Sequence, residues 1–162
     1  MAERLVLRMR RSLADPVPEP LWPAGIRLVP FEPEHHAQAV HALLLAAYAQ
    51  GGGYVEPFGI WWPSLRDDPE YDPGLCFVAA DRQGRAVGVA QCWTSAFVKD
   101  LAVAPGLRRQ GLGSALLCQA FRAFQERGAA FLDLKVDSDN PSGALRLYRS
   151  LRFERIEAYR LA

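Results

Sequence analysis

What this chain lacks first is an excess of charge of either sign: 19 Lys and Arg stand against 18 Asp and Glu, a formal net charge of +1. So weak a field gives no electrostatic drive toward nucleic acid or an anionic membrane surface, and neither is expected as a partner. No apolar run approaches bilayer-crossing length. The opening MAERLVLRMRRSL scatters charges through its short apolar stretch and offers no small-residue cleavage pattern, which points to a cytoplasmic protein. Cysteine is scarce and odd in number. Cys76, Cys92 and Cys118 lie in apolar strand or helix patterns and read as buried, reduced thiols rather than a disulfide framework. Metal-ligand spacing is also missing: His35, His36 and His41 fall on one predicted helix but do not share a face of it, so no metal is expected. What is present is an apolar fraction of 50% with 23% charged residues over 162 positions, the balance of a single globular domain large enough to bury a core.

The pattern along the chain alternates in period. Glu3 to Arg10 sets Leu5, Leu7 and Met9 against Arg4, Arg8 and Arg10, with Val6 the exception, and reads as a half-buried strand. DPVPEPLWP, Asp15 to Pro23, can form neither helix nor interior ladder and reads as an extended strap. Ile26 to Pro30 predicts a short strand, and Pro33 opens a helix running to about Ala49 on the spacing of Ala37, Val40, Leu44, Ala47 and Tyr48. Gly51, Gly52 and Gly53 end it. Tyr54 to Pro73 is aromatic, acidic and irregular, with a short helix around Trp61 to Arg66. Leu75 to Ala80, Ala86 to Trp93 and Ser95 to Val103 predict an antiparallel meander, its first turn at Asp81 to Gly84. Gly111 to Arg127 is helical, with Leu112, Leu116, Ala120 and Phe124 on one face and Gly128 at a left-handed C-cap. A strand at Phe131 to Val136, parallel to the one before that helix, then a helix from Pro141 to Ser150 and a strand from Phe153 to Arg160 complete a mixed α/β sheet.

The chemistry concentrates in Val98 to Leu117, VKDLAVAPGLRRQGLGSALL. A strand delivers the chain to a turn, Gly111 and Gly113 leave the backbone open to close approach, and the free N–H groups of a starting helix point at whatever sits there. Arg108 and Arg109 add positive charge where the helix dipole is already positive, an arrangement suited to a pyrophosphate. The chain contains neither GxxxxGK[ST] nor GxGxxG. Downstream, Asn140 to Phe153 reads NPSGALRLYRSLRF, with Ala144 and Tyr148 spaced one helical turn apart.

Arg108-x-x-Gly111-x-Gly113 resembles the acetyl-CoA signature of the GNAT superfamily of N-acetyltransferases. The downstream segment, Asn140 to Phe153, is similar to that family's Asn-x-x-Ala-x-x-x-Tyr-x-x-x-Gly-Phe. The resemblance covers roughly Ile26 to Tyr159, and Leu134 to Tyr148 looks most like the mycothiol-synthase branch, which usually carries two such domains where this chain has room for one. It implies a mostly antiparallel sheet with helices on both faces, whose fourth and fifth strands are parallel and splay apart. In that gap the backbone of Leu101, Ala102 and Val103 would pair with the pantetheine arm of acetyl-CoA. The pyrophosphate would sit on Arg108, Arg109, Gln110, Gly111, Leu112, Gly113 and Ser114, with Asn140, Ala144 and Tyr148 lining the far side.

Acetyl transfer to an amine passes through a tetrahedral intermediate and needs a neutral amine, a polarised thioester oxygen and a proton for the leaving thiolate. An alkylamine of pKa about 10.4 is neutral at pH 7 in only about one molecule in a few thousand, so a base must assist. Tyr148 is the candidate acid, or else a core tyrosine packing beside Ala144 and Leu151. Asn140, ahead of Pro141, reads first as the helix N-cap. Asp100, Asp137 and Glu56 are open as the base. The acceptor lip should be Tyr54 to Asp72, with Trp61, Trp62 and Tyr71 as flat walls and Asp67, Asp68 and Glu70 as negative charge, a setting for a cation. The expected function is transfer of acetyl from acetyl-CoA to a primary amine of a small molecule or peptide. A non-catalytic acyl-CoA sensor would need the cradle but not Tyr148, and an unrelated nucleotide-phosphate binder would need neither Asn140 nor Tyr148.

One departure concerns the ends. The family closes with two strands after the last helix, whereas only about ten residues follow Phe153. Residues 1–24 therefore read as a strand plus strap belonging with a domain at 25–162. The strand is expected to join this chain's own sheet, or that of a second subunit in a homodimer, so that no edge is left open.

Overall fold

The computed structural model describes residues 3–49, 51, 53–140 and 142–162. In chain order the strands are β1 (Arg4–Ser12), β2 (Arg27–Val29), β3 (Cys76–Ala80), β4 (Ala86–Trp93), β5 (Phe97–Val103), β6 (Phe131–Asp137) and β7 (Glu154–Leu161). The helices are α1 (Pro33–Ala47), α2 (Phe58–Arg66), α3 (Leu112–Glu126) and α4 (Ala144–Ser150). All seven strands form one sheet in the order β2-β3-β4-β5-β6-β1-β7, antiparallel at every step except β5 to β6.

Two apolar layers sandwich this sheet. On one face α1 and α2 lay Val40, Leu44, Trp61 and Leu65 over Val78, Val89 and Ala102. On the other, α3 and α4 cover Phe77, Ala90, Leu132, Leu134 and the β1 residues Leu7 and Met9 with Leu116, Phe121, Phe124 and Tyr148. The helix α3 approaches β4 so closely at Gly88 that a Cβ there would stand 3.1 Å from Leu112 and Leu116, a spacing only glycine permits without moving them. Cys76, Cys92 and Cys118 are buried and unpaired, each thiol held above its ordinary pKa by desolvation first.

β1 joins its own chain's sheet, but not at an edge. It runs between β6 and β7, pairing with Val6↔Asp137 through Ser12↔Phe131 on one side and Arg4↔Leu161 through Arg10↔Glu154 on the other. Val6 and Leu7, which point to opposite faces of the sheet, are both buried, and the alternation breaks there. Asp133 of β6, itself only 1% exposed, takes hydrogen bonds from Arg8 Nε at 3.0 Å and from Arg10 Nε and Nη2 at 2.8 and 3.0 Å, riveting the two strands. The proline-rich strap then crosses α3. Gln125 donates to the Leu13 carbonyl at 3.0 Å, and Glu19 pairs with Arg122.

A second difference concerns α4. The helix begins at Ala144, its N-cap being Gly143 at φ +80°, and Pro141 lies outside the described residues. Asn140 is not its N-cap: its Oδ1 accepts from the Ser142 N–H at 2.8 Å and from the Ser142 hydroxyl, an Asx turn ahead of the helix. The short asparagine side chain spends its acceptor on the residue two ahead, and Gly143 makes the turn in.

Candidate active site

The site is organised by the divergence of β5 from β6. Their one ladder pair is Phe97↔Asp133, supported by the Asp133 N–H bonding to the Ala96 carbonyl at 2.9 Å. Beyond it Leu101, Ala102 and Val103 pair with Ala90, Val89 and Gly88 of β4 and have no ladder partner toward β6. One cause of the local bend is a bulge. Gln91 pairs with Asp100 and Cys92 with Val98, leaving Lys99 as the extra residue of β5.

At the C-terminal end of β5 the chain turns through Pro105–Leu107 into α3. Arg109 stands at φ +63° and Gly111 at φ +87°, so two residues of this turn, one apart, are held in or near the left-handed region. Such alternation bends successive N–H groups toward one concavity. Among the described residues the N–H groups of Arg109 to Ser114 have no acceptor. Nothing lies within 4 Å of a Cβ built on Gly111, whereas one on Gly113 would meet Leu147 Cδ2 at 3.3 Å and Val103 Cγ2 at 4.0 Å. Gly113 is thus where β5, the start of α3 and α4 converge, and the two motifs meet there. Arg108 and Arg109 are exposed. The cradle is electropositive, unfilled by protein and open.

Tyr148 follows on α4 the Leu147 that meets Gly113, and is buried in the core. Its ring packs edge-on to Phe153 at 5.7 Å, and burial pushes its phenol up to about 12. No protein group among the described residues hydrogen-bonds its hydroxyl, which is not among the fully enclosed orphan atoms. Ala144 starts that helix, packed against the core.

On the α1 side of β5 lies a cleft of about 250 Å³ lined by Leu44, Tyr54, Glu56, Trp61, Ser64, Asp68, Trp93, Lys99 and Asp100 among others. Asp100 is 7% exposed. One of its oxygens accepts from the Tyr48 hydroxyl at 2.8 Å and the other from Lys99 Nζ at 2.8 Å. Tyr48 is pushed up from its ordinary pKa, by burial first and then by the Asp100 charge. Nζ of Lys99 also lies 5.9 Å from the Trp93 ring centre.

Of the residues singled out in sequence, Asp100, Glu56, Trp61 and Asp68 come together in this cleft. Three do not. Asp137 sits against β1, 3.5 Å from Arg4, Asp67 is exposed and paired with Arg66, and Trp62 turns from the cleft to pack on Phe31 and Tyr71. Glu70 ties its loop to the β4–β5 turn, accepting from Ser95 N–H at 3.0 Å. Tyr48, Ser64, Trp93 and Lys99 were missed. Tyr48 could have been found: it follows Leu44 by one turn in the apolar spacing of the first helix, where it stands as the C-cap of α1, and a buried hydroxyl requires a partner. His41, buried on the same helix, is used up bonding the Glu56 carbonyl at 2.8 Å, which anchors the lip to α1.

A family model described as the acetyltransferase (GNAT) family matches residues 32–153. The chain belongs to this family. Among GNAT relatives it is similar to the mycothiol acetyltransferase of Thermobispora bispora, 34% identical over 94% of this chain and 54% of that one. The mycothiol acetyltransferase of Frankia alni is 32% identical over 93% and 50%. In three dimensions it is similar to the crystal structure of a GCN5-related N-acetyltransferase from Sphaerobacter thermophilus, with a TM-score of 0.82, 27% identity, and coverage of 97% of this chain and 50% of that one. The chain spans about half the length of the curated relatives it matches. Among the described residues of this GNAT domain no group of three or more His, Cys, Asp or Glu is disposed to hold a metal ion, and no helix is long and apolar enough to cross a membrane.

Proposed function

We propose that the chain transfers acetyl from acetyl-CoA directly to the primary amine of a small cationic molecule. The observation that carries this reading is the convergence at Gly113 of three elements: an N–H cradle without acceptors, a strand whose edge has lost its neighbour, and a helix presenting Tyr148. The N–H groups of Arg109 to Ser114 bind the pyrophosphate, aided by Arg108 and the α3 dipole. The free edge of Leu101 to Val103 takes the amide groups of the pantetheine arm as a short added ladder, which brings the thioester to the bulge beside Asp100.

The acceptor enters from the Trp61 side. Glu56, Asp68 and Asp100 against the single Lys99 make the cleft net negative, which draws in an ammonium group. Asp100 is the base in this reading, since of the three candidates it alone is buried, lines the cleft and belongs to the diverging strand. It receives the ammonium proton while Tyr48 fixes the carboxylate's orientation. Tyr148, protonated throughout the neutral range, donates to the thiolate as the C–S bond breaks.

The test is release of free CoA thiol on incubation with acetyl-CoA and a panel of diamines, amino sugars, amino-acid amides and N-terminal peptides. The expectation is acceptor-dependent release confined to small cationic amines. Tight binding of acetyl-CoA without release from any amine would favour an acyl-CoA sensor.

A further inference from the structure

The acceptor cleft already contains an amine. Lys99 and Lys135 are the two lysines of the sequence, and they differ sharply in setting. Lys135 stands on β6 with its ammonium 5.2 Å from the Tyr159 ring centre, whereas Lys99 is the bulged residue of β5, lines the cleft, and places Nζ 2.8 Å from Asp100. An incoming ammonium drawn to that carboxylate meets Lys99 Nζ on one oxygen and the Tyr48 hydroxyl on the other. We propose that Lys99 is an internal acceptor: with no substrate amine present, the enzyme acetylates its own Lys99. This rests on the reading of the site as an acetyl-CoA-dependent transferase.

The reach is adequate. Lys99 lies two residues before Leu101, about 7 Å along the strand, and a lysine side chain spans a comparable length. The side-chain ion pair is partly open, Lys99 being 35% exposed and Asp100 9%, so Nζ can swing off its partner without unfolding. The step balances without any redox partner. Nζ passes one proton to Asp100, its lone pair attacks the thioester carbonyl carbon to give a tetrahedral intermediate, and as that collapses the C–S bond breaks, the departing thiolate takes a proton from Tyr148 and the nitrogen's second proton passes to the Tyr148 oxygen. The net products are Nε-acetyl-lysine, free CoA and one proton released to solvent as Asp100 and Tyr148 return to their starting states. Acetylated Lys99 loses its charge and its ion pair with Asp100, and its added acetyl group takes up space in a cleft of about 250 Å³. The modified enzyme is therefore expected to turn over acceptor more slowly, a brake that sets in when acetyl-CoA is plentiful and acceptor is scarce.

The experiment incubates the intact chain with acetyl-CoA alone, then digests it and maps acetylated peptides by mass spectrometry over time, with acetyl-CoA binding to the same sample measured by calorimetry. The expected result is one acetyl group accumulating on Lys99, with Lys135 unmodified and labelling suppressed by excess free CoA. Lys99→Arg, which keeps the charge but removes the nucleophilic amine, should show none. Equal labelling of Lys99 and Lys135, or labelling indifferent to excess CoA, would mark it as non-enzymatic chemistry and overturn the inference. An unlabelled Lys99 in protein that binds acetyl-CoA would overturn it while leaving the cofactor reading intact. Failure to bind acetyl-CoA at all would overturn both.

Discussion

Replacing Tyr148 by Phe separates a chemical role from a packing one, because the structure isolates the hydroxyl. The ring is buried and packs on Phe153, and phenylalanine preserves that contact. No protein group among the described residues bonds the hydroxyl, so deleting it breaks no protein hydrogen bond, and the stability change should stay within about 1 kcal/mol. For a domain of this size that is at most about 4 °C in Tm. The catalytic effect should be much larger. A phenol near 12 is a weaker acid than a thiol near 8.5, so transfer to the thiolate runs uphill by itself and is completed as the nitrogen's second proton passes to the phenol oxygen. Losing such a donor should lower kcat by roughly ten- to a thousandfold with acetyl-CoA affinity unchanged. The pH profile sharpens the test. Burial raises the phenol's pKa, so the donor stays protonated, and active, at all pH values below about 12, and the wild-type rate should show no basic limb attributable to Tyr148 in the usual assay range. Thiol release, calorimetry and thermal unfolding on the same preparation are needed. Full kcat in Tyr148→Phe would return the residue to the core and refute its role as donor.

Two further predictions concern the fold. Deleting residues 1–14 removes a strand held between β6 and β7, leaving β7 without its one sheet neighbour among the described residues; the variant should be largely unfolded by circular dichroism, and a variant as stable as the parent would contradict the central placement of β1. Asp133→Ala strands two arginines that can partly rehydrate, being 32% and 40% exposed, so the loss should be about 2–4 kcal/mol, seen as a fall of about 5–15 °C in Tm; a shift below about 2 °C would mean the arginine pair contributes little.

How much of this was legible in sequence follows from the range of the interactions. The cradle was, because Arg108, Gly111 and Gly113 act within one turn and the constraint on each is local. So was the place of Tyr148 on a helix one turn after Ala144. The meander β3-β4-β5 and its hairpin at Asp81 to Gly84 were visible for the same reason. The insertion of β1 between β6 and β7 was not, since alternation tells that a strand has a buried face but not which strands it joins; the only hint was Val6, apolar where the pattern asked for charge. Nor could sequence bring Tyr48 onto Asp100, a contact 52 residues long in the chain that depends on how α1 crosses β5. Trp61 and Trp62 are neighbours with equal claims as walls, and only the pitch of α2 decides that Trp61 faces the cleft and Trp62 faces Phe31. Asn140 failed as a cap for a local reason: Ser142 offers its acceptor a nearer donor.

In the proposed function the N–H cradle at the start of α3 holds the pyrophosphate of acetyl-CoA, and calorimetric titration of Gly113→Ala and Gly113→Asp with acetyl-CoA decides whether it does. Alanine adds a Cβ 3.3 Å from the mobile end of Leu147, which can give way, so binding should weaken only slightly. Aspartate adds an anion beside the phosphates and should cost about 2–3 kcal/mol, roughly a hundredfold in Kd. Both variants should unfold at temperatures close to the parent's. If Gly113→Asp is folded and binds acetyl-CoA as tightly as the parent, the pyrophosphate does not sit on this turn and the account of the site is wrong.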